Sequence, residues 1–151
     1  MSDMIPFPQA DDIQKIFVII NLSDESVLKD NEQLGIVLGN ITERQVSYYL
    51  AAARYLGIIN LSGNKRQYSD FGLKLRMMNS TKQEMEIISK ILTDAAFNKV
   101  YIYWSMYGEQ DIEDVENIIR ELHPEYSDAI YHRRAQTVIS WVKWINKKLT
   151  S

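Results

Sequence analysis

Few side chains in this sequence have the spacing that catalysis requires. A two-metal nuclease site needs clustered carboxylates with a lysine close by, but the acids between Glu109 and Asp128 fall on a predicted helix without any lysine. His123 and His132 lack the spacing of metal ligands, the glycines lack the motif of a phosphate-binding loop, and the chain has no cysteine. We therefore expect no catalytic residue, no metal site and no cofactor, and a protein that is not itself an enzyme.

The charged side chains are segregated along the chain, and the basic ones are suited to contact a polyanion. The net charge is −3, which counts against simple nucleic-acid binding. However, residues 129–151 contain five basic side chains and no acidic one, and residues 62–82 contain five against the single acid Asp70. Such segregation can create a positive face on an acidic molecule. The alternative is that each run is an ordinary solvated helix face.

The first half of the sequence has the signals of several helices followed by a hairpin. We predict a helix over residues 13–21, a short helix over 32–38, and a longer helix that begins at Thr42 and stops at Gly57. Thr42 and Gln45 have the spacing of a capping box. Two short extended runs around a Gly-Asn turn then predict a β-hairpin, and a further helix follows. The predicted core face of the longer helix consists of Val46, Tyr49, Leu50, Ala53 and Leu56.

This order of elements predicts the fold. A short helix, a turn, a long helix and a two-stranded hairpin form the winged-helix plan. In the second half, predicted helices over 82–95, 97–107, 111–122 and 133–149 repeat the theme without a second hairpin. We therefore predict a mainly α protein of two tandem winged helix-turn-helix units with one clear β-hairpin wing. Its predicted divisions are an N-terminal arm (1–10), unit 1 (11–80) and unit 2 (81–151), which packs on the first.

Two segments resemble known DNA-binding proteins. Residues 42–59, the following hairpin and Tyr68-Ser-Asp-Phe-Gly resemble the third helix, wing and next helix of winged-helix DNA-binding domains. Residues 133–145, Arg-Arg-Ala-Gln-Thr-Val-Ile-Ser-Trp-Val-Lys-Trp-Ile, resemble the end of the tandem winged-helix recognition domains attached to some type II restriction endonucleases and related bacterial defence proteins. The resemblance implies sequence-specific recognition of double-stranded DNA by the non-catalytic part of a restriction or defence protein.

On this hypothesis, the helix over residues 42–56 enters the major groove, where its N-terminal residues reach base edges. Arg44 is suited to read guanine and Gln45 to read adenine, although the capping box is an equal use for Gln45. Basic residues of the hairpin and of the last helix would hold phosphates. Trp141 is expected in the core, whereas Trp144 is either core or contact. The candidate DNA-binding residues are Glu43, Arg44, Gln45, Ser47, Tyr48, Lys65, Arg66, Arg133, Arg134, Gln136, Ser140, Lys143 and Lys147.

The sequence leaves other functions open. The chain is alternatively a protein-interaction or dimerisation module, with the aromatic run Tyr101-x-Tyr103-Trp104 as the candidate interface, because fold does not fix function. It is alternatively a transcriptional regulator that binds a palindromic site as a dimer. The expected partners are double-stranded DNA and either a nuclease domain or a second copy of the chain. The sequence has neither the pattern of a signal peptide nor an apolar run of membrane length, so we expect a cytoplasmic protein without membrane contact.

Overall fold

The computed structural model describes residues 9–62 and 65–150. The predicted N-terminal arm, apart from residues 9 and 10, and the predicted Gly-Asn turn of the hairpin lie outside the described residues. The described elements are α1 (Ile13–Ile20), a 3-10 helix (Glu25–Lys29), α2 (Asn31–Val37), α3 (Glu43–Tyr55), β1 (Ile59–Ser62), β2 (Lys65–Tyr68), α4 (Asp70–Arg76), α5 (Ser80–Ile91), α6 (Ala95–Tyr107), α7 (Ile112–Leu122) and α8 (Asp128–Thr150). The prediction of a mainly helical chain with an antiparallel hairpin is confirmed.

The chain divides into two units. Unit 1 comprises residues 1–10 and 14–86, and unit 2 comprises residues 11–13 and 87–151. The short segment 11–13 belongs to unit 2 because Asp11 binds α8. One carboxylate oxygen of Asp11 accepts hydrogen bonds from Arg133 (2.7 Å) and Thr137 (2.6 Å). The division after Glu86 falls inside α5, whereas the sequence predicts it at residue 80.

Two helices begin earlier than the sequence predicts, because side chains that precede the predicted starts cap them. The predicted cap Thr81 already lies inside α5, and the side chain of Asn79 accepts a hydrogen bond from the backbone of Lys82 (2.9 Å). In the same way, the Ser127 side chain accepts a hydrogen bond from the backbone of Ile130 (3.4 Å), so the first turn of α8 lies before the predicted start. Side-chain oxygens of this kind satisfy the backbone N–H groups that a helix start leaves unpaired.

α3 begins and ends where the sequence predicts. Thr42 and Gln45 form a complete capping box: the Gln45 backbone donates to Thr42 Oγ1 (3.2 Å), and the Thr42 backbone donates to Gln45 Oε1 (3.0 Å). Gly57 follows the helix with φ of 75°, a conformation that glycine adopts without strain. The predicted core face is confirmed, since each of its five side chains is at most 8% exposed.

A close approach between backbones holds α2 against the start of α3. The connection contains Gly39 (φ 98°) and Asn40 (φ 60°), two left-handed residues that reverse the chain. The Ile41 backbone N–H then donates to the carbonyl of Gly35 (3.1 Å). A Cβ at Gly35 would lie 3.1 Å from the Ile41 oxygen, so only glycine fits here without displacement. These contacts fix the turn that joins α2 to α3.

The hairpin is anchored to α1 through Tyr68, the last residue of β2. β1 and β2 pair antiparallel, with Ile59 opposite Tyr68. The buried Tyr68 hydroxyl donates to the Ile19 carbonyl (2.6 Å) and accepts from Arg76 (3.0 Å). Arg76 also donates to the carbonyls of Ile20 (2.7 Å) and Leu22 (2.8 Å). A single guanidinium from α4 therefore satisfies carbonyls that the end of α1 leaves without intrahelical partners.

The buried hydrogen bonds of Tyr68 predict that the fold loses stability at alkaline pH. Burial raises the pKa of Tyr68 above its ordinary value of 10.0, against a smaller opposing effect of Arg76. Stability from a raised folded-state pKa is fully present below about pH 10 and is lost as the pH rises through the folded pKa. We expect Tyr68→Phe to cost about 1–2 kcal/mol at neutral pH through the lost hydrogen bonds, but to lose less stability between pH 9 and 11.

Urea unfolding followed by far-UV circular dichroism across this pH range measures both effects. The pKa of Tyr126 is also raised by burial, and this residue is retained in both proteins. If the stabilities of wild type and Tyr68→Phe fell in parallel above pH 9, the assigned titration would be wrong.

Unit 2 consists of α6, α7 and α8 around an aromatic core. Trp141 of α8 is fully buried and stacks on Phe97 of α6, with ring centroids 5.3 Å apart and an interplanar angle of 19°. The rest of the predicted apolar stripe of α8, Val138, Val142 and Ile145, is also fully buried, so this face was predicted correctly. Among the described residues, none of the helices combines the length and the apolar character needed to span a membrane.

Candidate nucleic-acid interface

The N-terminal half of α3 presents a polar face. Glu43, Arg44 and Ser47 are exposed and Tyr48 is half-buried. Arg44 Nε donates to the Tyr48 hydroxyl at 2.8 Å, and the guanidinium carbon lies 5.7 Å from the ring centroid. This bond holds the guanidinium along the helix surface, and the terminal nitrogens have no hydrogen bond to another described residue. They are the atoms that make bidentate contacts to guanine or phosphate.

Gln45, predicted either to cap the helix or to read a base, caps the helix in this structure. Its Oε1 accepts from the Thr42 backbone (3.0 Å). Bidentate recognition of adenine uses both the amide oxygen and the amide nitrogen. Because the oxygen is occupied, the capping interpretation is the one that the geometry supports.

The two basic residues of β2 have different environments. Lys65 is exposed, as a phosphate contact requires. Arg66 is half-buried and donates from Nε to the Leu28 carbonyl (2.8 Å) and from Nη2 to Asn31 Oδ1 (2.6 Å). Burial also lowers the pKa of Arg66 from its ordinary value. In this structure Arg66 ties the hairpin to the start of α2, so a phosphate contact by this side chain stays a prediction that these bonds do not favour.

The contrast between these neighbours is testable by stability alone. Arg66→Gln is expected to lower the free energy of unfolding by about 1–3 kcal/mol, because it removes a charged donor from two part-buried acceptors. Lys65→Gln, the matched control on the same strand, should change it by less than about 0.5 kcal/mol. Urea denaturation followed by far-UV circular dichroism measures both. Similar values for the two variants would contradict the anchoring role of Arg66.

Half of the candidate residues on α8 bind within unit 2 instead of facing solvent. Arg133 pairs with the Asp11 carboxylate (2.7 Å), and the Ser140 hydroxyl donates to the Asp11 carbonyl (2.5 Å). Arg134 is only 6% exposed, and its guanidinium carbon lies 4.0 Å from the centroid of the Tyr126 ring. The predicted phosphate contacts of these three side chains stay predictions that the structure does not favour, because Arg133 and Ser140 are bonded to Asp11 and Arg134 is buried.

The remaining candidates on α8 form one surface stripe. Gln136, Lys143 and Lys147 are exposed. Their spacings of seven and four residues place them on the same side of a helix. Trp144, which the sequence left open, is half-buried. Unit 2 thus offers two lysines and one amide along a single helix face.

Two carboxylates lie beside the start of α3, and one of them, Glu32, comes from α2. A cleft of about 550 Å³ is lined by Glu32, Glu43 and neighbouring residues of α2 and of the turn that follows it. A carboxylate repels phosphate, but it accepts a hydrogen bond from the amino group of cytosine. This end of α3 is therefore chemically suited to base edges and unsuited to the sugar–phosphate backbone.

The described residues contain no group of three or more His, Asp and Glu side chains placed to hold a metal ion. Each histidine instead faces one carboxylate: His132 Nδ1 lies 2.8 Å from Glu116 Oε2, and His123 Nδ1 lies 3.6 Å from Glu125 Oε2. The first contact joins α7 to α8, and the second joins two residues of the connection between these helices.

Comparisons with known proteins locate the chain in one family. The comparisons found no matching curated protein and no matching solved structure. The model of a family described as a domain of unknown function, DUF7226, matches residues 17–150. This match spans the second half of α1 and all of α2 to α8, and so includes both the polar face of α3 and the stripe on α8. The chain therefore belongs to the DUF7226 family.

Proposed function

We propose that unit 1 is a winged-helix unit that binds double-stranded DNA in a sequence-specific manner, with α3 as its recognition helix. The observation that carries this proposal is the polar, exposed N-terminal half of α3, which follows a short turn after α2 and precedes a hairpin. In winged-helix and helix-turn-helix proteins, this is the part of the recognition helix that contacts base edges. The buried opposite face of α3 supplies the rigid support that such contacts need.

The proposed base contacts come from Arg44, Glu43 and Ser47. Arg44 carries the greatest weight, because Tyr48 restrains its Nε while its terminal nitrogens remain for a guanine edge. Restraining a flexible side chain before binding reduces the entropy lost on binding. Glu43 is suited to accept a hydrogen bond from a cytosine amino group. The Ser47 hydroxyl can donate or accept, so it is suited to acceptor and donor groups on a base edge.

The proposed phosphate contact of unit 1 comes from Lys65 of the hairpin, and Lys143 and Lys147 of α8 are the candidate phosphate contacts of unit 2. These lysines are fewer than the charge of the sequence suggests, because four arginines are bound within the fold. Each lysine–phosphate contact contributes about −0.9 to the slope of log K against log salt concentration, so a few contacts give a shallow slope. We thus propose a binder with modest non-specific affinity that depends on base contacts. The resemblance to restriction and defence proteins supports a role as their recognition part.

The test is a selection from a random duplex pool, followed by binding measurements on the selected site. Arg44→Ala is expected to weaken binding by about 1–3 kcal/mol and to relax the preference at one base pair. Arg54→Ala, on the last turn of α3, is the matched control and should leave both unchanged. Equal losses on every duplex would reject base recognition by Arg44, and the absence of any salt-dependent binding would reject the function.

The same experiment distinguishes the alternatives. A transcriptional regulator would select a palindromic site, because a two-fold dimer reads two half-sites. A dimerisation module would associate without preference for DNA and with little dependence on salt. Sedimentation with and without the selected duplex separates these outcomes from the monomeric recognition unit that we propose.

A further inference from the structure

α6 is apolar on two opposite faces. One face packs into the core of unit 2, where Phe97, Val100 and Trp104 are buried. The other face is exposed to solvent, and its most exposed side chains, Met106 and Tyr107, are 63% and 73% exposed. A surface helix of a globular protein ordinarily has a single apolar stripe, so the second face needs an explanation. The exposed apolar face consists of Ile102, Tyr103, Met106 and Tyr107.

This exposed face continues into a cleft against α7. The rings of Tyr103 and Tyr107 lie with centroids 6.2 Å apart. Together with Gln110, Asp114 and Ile118 they line a cleft of about 420 Å³. Two aromatic rings beside an apolar cleft are typical of protein interfaces, in which tyrosine is enriched. The aromatic run that the sequence offers as an interface, Tyr101-x-Tyr103-Trp104, shares Tyr103 with this face, but its Trp104 is only 7% exposed.

The segment that leads from α6 into the first turn of α7, here called the acidic rim, is strongly acidic, and one of its carboxylates, Asp114, lines the cleft. Residues 108–114 carry four carboxylates and no basic side chain: Glu109, Asp111, Glu113 and Asp114. All four are exposed. None of them forms an ion pair with a cation in the described part of the chain. The apolar face thus borders a concentration of negative charge that has no counterpart within the described residues.

We propose that the exposed face of α6 and the cleft beside α7 dock a basic amphipathic helix of a partner protein. Apolar side chains of that helix would cover Met106 and Tyr107, and its lysines or arginines would meet the acidic rim. Such helices bind apolar grooves through residues spaced three and four apart. Charge complementarity across the contact selects the partner and speeds association.

The negative charge of the acidic rim argues against two other occupants of this surface, a nucleic acid and a second copy of the chain. A nucleic acid would bring phosphates against four carboxylates. A second copy of the chain, joined by the usual two-fold symmetry, would place the same acidic rim on both sides of the contact. Like charges brought together in this way oppose association. A basic protein segment is the occupant whose charge fits.

The experiment uses the full chain and two synthetic 18-residue helical peptides. Both carry leucine along one face, and the flanking residues are lysine in the first and glutamate in the second. We expect the lysine peptide to bind with micromolar affinity, to shift amide resonances of residues 102–118, and to bind more weakly as salt rises. The glutamate peptide should not bind.

Variants locate the site and keep the proposal falsifiable. The double change Met106→Ser and Tyr107→Ser should weaken binding of the lysine peptide at least tenfold. The matched control is Met77→Ser, which removes a methionine of unit 1 that is 89% exposed and should have no effect. Equal binding of both peptides, shifts outside α6 and α7, or unchanged affinity of the double variant would each overturn the proposal. Self-association of the wild type that the double variant abolishes would also overturn it.

Discussion

Gly72→Ala is expected to destabilise unit 1 by about 3 kcal/mol or more, the largest effect of any glycine substitution that we predict in this chain. A Cβ at Gly72 would lie 2.1 Å from the carbonyl oxygen of Ile58. Close carbon–oxygen contacts in proteins are about 3.3–3.6 Å, so α4 and the backbone before β1 would have to separate by more than 1 Å. Both atoms are fixed on backbone, and no side-chain rotation relieves the clash.

That separation would also break existing bonds. The Ile58 carbonyl accepts from the backbone of Ser69 (2.9 Å) and from its hydroxyl (3.0 Å). The same hydroxyl accepts from the Gly72 backbone (2.9 Å) and caps α4. Overpacking alone typically costs about 1–3 kcal/mol, and the loss of this cap and strand junction adds to it. The hairpin itself depends on this junction, because β2 leads directly into α4.

Urea unfolding measures the effect, with Lys74→Ala as the control on the exposed side of the same helix. The control should change stability by less than about 0.5 kcal/mol. All three tryptophans, Trp104, Trp141 and Trp144, belong to unit 2, so tryptophan fluorescence does not report on unit 1. Amide hydrogen exchange of residues in unit 1 measures the local effect instead. A Gly72→Ala protein as stable as wild type would mean that α4 does not approach Ile58 as closely as described.

Local signals explain why much of unit 1 could be predicted from the sequence. The bounds of α3 depend on Thr42, Gln45 and Gly57, which act within one turn of the helix ends. Its core face follows from spacing alone, because residues three and four apart share one side. The hairpin likewise follows from two short extended runs between turn residues. These features need no knowledge of what the rest of the chain does.

The roles of the arginines could not be predicted in this way. Arg76 donates to Ile20, which lies 56 residues earlier in the chain, and Arg66 donates to Leu28, which lies 38 residues earlier. A surface arginine and an arginine that satisfies distant carbonyls have the same local sequence pattern, and only the folded chain distinguishes them. The charge segregation in the sequence therefore overstated the cations available to a phosphate.

The bound arginines change where specificity has to come from in the proposed function. With few phosphate contacts, the electrostatic part of binding is small and depends weakly on salt. The carboxylates beside α3 reduce it further. Such a protein has a low affinity for non-specific DNA, and its selectivity depends on a few base contacts such as that of Arg44. This is why Arg44→Ala is a sharper test than removal of any single lysine.

Trp141→Ala is expected to destabilise unit 2 by about 3–5 kcal/mol, the range for deleting a large buried aromatic side chain. Trp141 is fully buried, and its ring stacks on Phe97. The neighbouring side chains on α8 are attached to a helix backbone that holds them in place, so they cannot move in to fill the cavity that the lost ring leaves. Gln136→Ala, on the exposed face of the same helix, is the control and should stay within about 0.5 kcal/mol of wild type.

A double-mutant cycle separates the stacking from simple burial. Phe97→Leu and Trp141→Leu, made singly and together, should show a coupling of about 0.5–1.5 kcal/mol in the free energy of unfolding measured by circular dichroism. A coupling near zero would mean that the two rings contribute only through the area they bury. A loss below about 1 kcal/mol for Trp141→Ala would contradict the placement of this ring in the core, and with it the orientation of α8 that keeps Gln136, Lys143 and Lys147 exposed.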